Sequence, residues 1–144
     1  MPKIYFASDH AGFELKSMLI AYVKELGYAV EDCGAHSFHP EDDYPDFITP
    51  CAQKVVEENA RGVIIGKSGE GEAMCANRVS GVRAAVFYGG SLDIIQLARE
   101  HNDANVLSLG AQFITPEEAK DAVKQFLETS FSASSRHMRR LAKF

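Results

Sequence analysis

The chain has 144 residues, of which 46% are apolar and 24% charged, and a net charge of −5. That length suits a single domain, which would bury roughly two-thirds of its unfolded surface and need no staples. The acidic balance argues against general nucleic-acid binding, and no apolar run approaches the ~20 residues of a membrane span.

Met1–Phe6 runs straight into a strand pattern rather than a leader, so a cytoplasmic protein without membrane contact is expected. Three cysteines, Cys33, Cys51 and Cys75, are an odd number without metal-ligand spacing, and reduced thiols are expected. Arg136, Arg139, Arg140 and Lys143 form a basic tail on this acidic body, an asymmetry that points to a local anionic partner.

Strand and helix patterns alternate along the chain. Lys3–Ser8 reads as a strand ending in Asp9-His10, and Gly12–Leu26 has helical periodicity closed by Gly27. Tyr28–Cys33 is the second strand, and Gly34–Asp46 a polar loop. Phe47–Asn59 reads as a helix with Pro50 in its first turn, where proline is tolerated. Gly62–Ile65, Val82–Phe87 and Ala104–Leu109 read as the remaining strands, with helices after each. Thr115-Pro116-Glu117-Glu118 is a helix start with a capping-box pattern. Ser132–Ser135 is a polar linker to a basic final helix. Such alternation predicts a parallel sheet covered by helices on both faces, with ligands bound beyond the carboxyl ends of the strands.

The loop Gly66-Lys67-Ser68-Gly69-Glu70-Gly71-Glu72 stands at such an end. Its glycines and serine at a strand-to-helix turn gather backbone N–H groups that suit an anion, and Glu72 sets a carboxylate beside them. Two nucleotide patterns fail there. A phosphate-binding P-loop needs one more residue between Gly62 and Gly66-Lys67-Ser68, and a dinucleotide fingerprint needs glycine where Met74 stands.

Elsewhere local readings compete with functional ones. Asp9 suits a helix cap, and His101 suits the carboxyl end of a helix dipole. Arg136 and Arg140, four residues apart, share one helix face and suit bidentate phosphate binding, or a solvated basic surface. His36 and His39, in a loop with Glu41, Asp42 and Asp43, read as solvated residues rather than metal ligands.

Taken together, several segments resemble the type B ribose-5-phosphate isomerases and the related galactose-6-phosphate and allose-6-phosphate isomerases. They are Ser8–Lys16, Asp43-Tyr44-Pro45-Asp46, Gly66–Arg78, Gly81–Ala85, Arg99–Leu107 and Arg136-His137 with Arg140. They span nearly the whole chain in family order.

The resemblance implies a Rossmann-like three-layer α/β/α sandwich around a five-stranded parallel sheet, spanning residues 1–144. It implies an aldose–ketose isomerase of sugar phosphates that needs no metal or cofactor. It also implies a homodimer, with further pairing to a tetramer left open, whose sites draw on both subunits and whose helix within 131–144 reaches the partner. Many members carry a catalytic cysteine at the position of Gly66, whereas another branch uses a glutamate matching Glu72. Cys75 does not match the cysteine position and reads as a small core residue.

On that basis Glu72 is the expected base for proton transfer through a cis-enediolate, with His101 opening the furanose ring. The Ser68 hydroxyl and the backbone amides of Lys67, Ser68, Gly69, Glu70 and Gly71 are expected to hold the enediolate. Asp9 and His10 would grip sugar hydroxyls, Tyr44 would pack on the ring and Asn102 would assist near the oxyanion. Arg136 and Arg140 would clamp the phosphate, and Gln112 stands where the family commonly has a further phosphate-binding arginine. A hexose 6-phosphate as substrate, or a non-catalytic subunit that needs a partner chain, remain alternatives.

Overall fold

Five segments of the chain pair into one parallel sheet. In a computed structural model covering residues 1–144, β1 runs Ile4–Ser8, β2 Val30–Asp32, β3 Arg61–Gly66, β4 Ala84–Phe87 and β5 Val106–Gly110. Their order across the sheet is β2-β1-β3-β5-β4, with every neighbouring pair parallel. The helices between and after them are α1 (Phe13–Glu25), α2 (Pro45–Glu57), α3 (Glu70–Ala76), α4 (Asp93–Asn102), α5 (Pro116–Glu128) and α6 (Ser135–Leu141). The three-layer α/β/α architecture expected from the alternation is present.

Side chains on successive strand residues point to opposite faces, and the two cores follow this rule. Ile4, Phe6, Val63, Ile65, Leu107 and Leu109 face α1, α4 and α5, where they meet Leu19, Val23, Ile95, Val123 and Phe126. Tyr5, Ala7, Ile64 and Val106 face the other way, onto Ile48, Cys51 and Val55 of α2 and Ala76 of α3. Both faces of β1, β3 and β5 are therefore buried, which explains their nearly unbroken apolar runs. Truncating Phe6, which is fully buried, would cost about 3–5 kcal/mol.

Several local expectations hold and others shift. Thr115 caps α5 in a reciprocal capping box with Glu118, and Asp9 accepts a hydrogen bond from the Ala11 amide at 3.0 Å, capping a 3-10 turn over His10–Gly12 that precedes α1. The expected position of Pro50 in a first turn is corrected. Pro45 takes the first helical position of α2, so Pro50 lies inside the helix, on an exposed side. A proline near a helix start presets the backbone for helix, and Pro45 does so two residues earlier than the apolar pattern suggests. Cys75 is half-buried at the edge of the second core, its Sγ 3.3 Å from Thr49 Oγ1, rather than within the core.

The topology creates one natural crevice. β1 and β3 are neighbours, yet α1 after β1 packs on one face and α3 after β3 on the other. Chains leaving adjacent strands toward opposite faces open a cleft at the carboxyl ends. Ser8 pairs with Ile65 in register, so Asp9 and Gly66 stand side by side at its mouth.

Candidate active site

Glu72 is the most deeply placed acid at this mouth. It sits in the first turn of α3, after Gly69, whose φ of +83° is the left-handed turn that starts the helix. The Glu72 side chain folds back over Gly66: a methyl group on Gly66 would overlap all three atoms of the Glu72 carboxyl group. Glycine at position 66 leaves that space free for it.

Glu72 is 5% exposed. Burial pushes its pKa up, the charge of Asp9 pushes it further, and the amides of Glu72 and Gly69 pull part of the way back. The result is a carboxylate more basic than an ordinary glutamate.

Around Glu72 the loop supplies donors. The amides of Lys67, Ser68 and Gly71 have no acceptor within the chain. The Glu70 amide, expected among them, donates instead to Ser68 Oγ at 3.1 Å, because a serine two residues ahead captures it in a local turn. Lys67 and Glu70 are both exposed and make no ion pair. The Tyr44 hydroxyl lies 2.6 Å from where a side chain on Gly71 would begin, so its ring covers the start of α3. Gln112 is exposed just beyond β5, its amide donating to Lys67 O at 3.1 Å.

His10 and Asp9 complete this end. His10 Nδ1 lies 2.6 Å from Asp42 Oδ1, and the His10 amide donates to the same oxygen at 3.1 Å. Asp9 Oδ2 is 3.9 Å from His10 Nδ1. Potential ligand atoms of Asp9, His10 and Asp42 all lie within 4.8 Å of one another. The short Nδ1–Asp42 contact is that of a charge-assisted histidine–carboxylate hydrogen bond, which an ion would have to break. Asp42 was expected to be a solvated loop residue; its side chain is only 9% exposed, because the loop folds it down onto His10. His36 and His39 are exposed, and His39 Nε2 contacts Ser37 Oγ at 3.0 Å.

The other expected residues gather at the opposite end of the sheet. A helix joining two parallel neighbours must run back along them, and α4 ends beside the start of β4, where the Asn105 amide donates to Arg83 O at 3.0 Å. His101 and Asn102, on the last turn of α4, therefore lie at the amino ends of the strands. The His101 ring stacks on His137 of α6, centroids 4.2 Å apart and planes inclined by 22°.

Arg136 and Arg140 flank His137 on α6, exposed and without ion-pair partners. Burial lowers the His137 pKa, and the charges of His101, Arg136 and Arg140 lower it further. Arg99, 3% exposed, holds this end together. It donates to Thr129 O at 3.0 Å, Ala104 O at 2.7 Å and Asp103 Oδ1 at 2.9 Å. A cleft of about 730 Å³ also lies here, lined by Arg83, Asn102, Leu141 and Phe144 among others.

The structure thus brings Asp9, His10, Tyr44, the 67–72 loop and Gln112 together, and sets His101, Asn102, Arg136 and Arg140 apart from them. Sequence reasoning missed Asp42, Arg99 and the His101–His137 stack. The partners of Asp42 and His101, and the Thr129 partner of Arg99, are remote in the chain, and only a run of acids around Asp42 hinted at anything.

The ribose/galactose isomerase family matches residues 4–144. The ribose-5-phosphate isomerase B of Mycolicibacterium paratuberculosis is 41% identical over 140 residues, covering 96% of this chain and 87% of that protein. A putative sugar phosphate isomerase of Rickettsia bellii is 40% identical over 141 residues, covering 97% and 95%. The crystal structure of ribose-5-phosphate isomerase B from Mycoplasma genitalium with bound ribulose-5-phosphate superposes with a TM-score of 0.92 at 39% identity, covering 98% of this chain and 92% of that one. The Clostridium thermocellum enzyme does so with a TM-score of 0.92 at 38% identity, covering 98% and 93%. With its fold, its glycine loop and these relatives in agreement, the chain belongs to the ribose/galactose isomerase family, among the type B ribose-5-phosphate isomerases.

Proposed function

We propose that the protein interconverts ribose 5-phosphate and ribulose 5-phosphate through a cis-enediolate, with Glu72 as the base. The observation that carries this reading is the Glu72 carboxyl group folded over Gly66, in the space where many family members carry their catalytic cysteine. The names of the relatives and the ribulose-5-phosphate bound in the Mycoplasma genitalium structure support the choice of substrate.

The chemistry follows from the geometry. Glu72 takes the proton from C2 of the open-chain aldose, leaving a cis-enediolate with its charge on O1. The O2 proton passes to O1, and Glu72 returns its own proton to C1 to give the ketose. A carboxylate raised in pKa by burial is a stronger base for a carbon acid. The unpartnered amides of Lys67, Ser68 and Gly71 face the developing negative charge, and the Ser68 hydroxyl proton adds a donor. His10 and Asp9 hold sugar hydroxyls, and Tyr44 packs against the ring.

One chain offers half of what the reaction needs at each end of its sheet. Strands of five or six residues separate the ends by roughly 15–20 Å, longer than an extended five-carbon chain. We infer that two copies assemble so that His101, Asn102, Arg136 and Arg140 of one face the Glu72 loop of the other. His101 then opens the furanose ring, and the two arginines hold the phosphate in place of the arginine that Gln112 replaces.

The direct test of the base is Glu72→Gln assayed with ribose 5-phosphate. Turnover should fall on the order of 10²–10⁴ with little change in KM. Near-normal turnover would overturn the assignment.

A further inference from the structure

We propose that Asp42 is a positioning residue for the sugar-binding His10, fixing the orientation of the imidazole and the nitrogen that carries its proton. The proposal rests on the reading of this mouth as the sugar site of an isomerase.

Asp42 reaches His10 from 32 positions along the chain and grips it twice. One oxygen, Oδ1, accepts from the His10 backbone amide at 3.1 Å and lies 2.6 Å from ring Nδ1. A single acceptor on both groups sets the side-chain torsions as well as the backbone turn. Nδ1 then carries a proton, which leaves Nε2 as the nitrogen available to a ligand.

The ring is braced from the side by Phe38, edge-on with centroids 6.1 Å apart, and Phe38 is in turn braced by Phe13 at 6.3 Å. His10 is one-third exposed while the Asp42 side chain is 9% exposed. The imidazole faces the mouth and its orienting carboxylate is kept behind it. The second Asp42 oxygen is buried without any hydrogen-bond partner, so the capture of His10 is the one polar interaction this side chain makes.

The loop that carries Asp42 is itself anchored. The Ala35 amide donates to Ser8 O at 2.7 Å and the Ser8 amide to Gly34 O at 2.9 Å. Lys16, 1% exposed, donates to Ala35 O at 2.6 Å and to Asp32 Oδ1 at 2.8 Å. Beyond the loop, α2 begins at Pro45. A carboxylate on a segment tied at both ends is a fixed reference for the ring it holds.

The charged groups that face His10 are Asp42 from the loop and Asp9 from the end of β1; the neighbours from α1 and the loop, Phe13 and Phe38, are uncharged. The Asp42 hydrogen bond is the main cause of a raised His10 pKa, with the charge of Asp9 adding to it against partial desolvation. A protonated ring donates from Nε2 to a sugar or phosphate oxygen. A neutral ring with Nδ1 protonated accepts a hydroxyl proton there instead. In both forms Nε2 is the working atom.

The test uses the full chain with Asp42→Asn and Asp42→Ala. The His10 ring is titrated by NMR without ligand, and kinetics are measured with ribose 5-phosphate. Asn keeps the shape and an acceptor but loses the charge, so the His10 midpoint should fall with the thermal midpoint unchanged. Asp42→Ala should raise KM about tenfold or more with a smaller loss in kcat. Adding Asp42→Ala to His10→Ala should cause no further loss, since one acts through the other.

An unmoved His10 titration in Asp42→Asn, or losses that add in the double variant, would overturn the proposal. The titration needs no turnover, so an unmoved midpoint counts against Asp42 alone. Absence of ribose 5-phosphate turnover in the unaltered protein would count against the substrate assignment alone.

Discussion

At the carboxyl ends of the strands two acids, Glu72 and Asp9, are held out of water, whereas at the amino ends two arginines, Arg136 and Arg140, stand in it. Glu72 and Asp9 are 5% and 7% exposed, while Arg136 and Arg140 are exposed and unpaired. Burial raises the proton affinity of a carboxylate, and exposure is what lets a cation meet an incoming anion. On the proposed reading one end moves protons and the other holds a phosphate, and a second copy would bring the two together. The histidines follow the same division. Asp42 and Asp9 raise the pKa of His10, whereas burial and neighbouring cations lower that of His137.

The comparison can be broken most severely at Glu72. Besides its loss of turnover, Glu72→Gln should abolish the acid limb of the pH profile. In the unaltered enzyme kcat/KM should rise with pH through a midpoint above the ordinary glutamate value, because the base works only when ionised and its pKa is raised. A midpoint at or below the ordinary value would contradict the role of burial.

Next in size is the arginine pair. Removing both by Arg136→Ala and Arg140→Ala should raise KM for ribose 5-phosphate about 10–100-fold with a smaller effect on kcat, since hydrogen bonds to charged groups are worth ~1.5–3 kcal/mol. A loss confined to kcat would move them from anchoring to chemistry. His101→Ala should slow furanose substrates more than an open-chain analogue, and equal losses on both would argue against ring opening.

The smallest effect is on stability. Because the native state holds the Glu72 proton more tightly than the unfolded chain does, ionising Glu72 lowers stability as pH rises through its folded-state pKa. Below the ordinary value that cost is absent. Glu72→Gln should therefore raise Tm at pH 8 by about 2–4 °C, the effect of ~1 kcal/mol in a chain of this size, with no gain near pH 4. A Tm lower at pH 8 than that of the unaltered protein would contradict the account.

Much of the fold was legible because its signals are local. The Thr115–Glu118 capping box, the apolar strands and the glycine loop each lie within a few residues of one another, and side-chain period and turn chemistry act over that range. Pro50 was misplaced because two prolines five residues apart compete for one helix start. Glu72 stood out as a carboxylate beside a glycine turn, yet nothing in the sequence revealed that its carboxyl group occupies the side-chain space of Gly66.

Asp42 looked like one more acid in a polar loop, because its partner lies 32 positions away. The distance of His101 from Glu72 follows from helix direction, which a residue-by-residue pattern does not display.

The most direct measurement is complementation between two crippled variants. Glu72→Gln is co-expressed with the Arg136→Ala/Arg140→Ala double variant, and ribose 5-phosphate isomerase activity is read well below KM. If each site joins the Glu72 end of one copy to the arginine end of another, mixed dimers carry one intact site. Random pairing then restores about a quarter of the unaltered activity. Activity no higher than the mean of the two variants measured separately, in a preparation shown to contain mixed dimers, would contradict a site shared between copies.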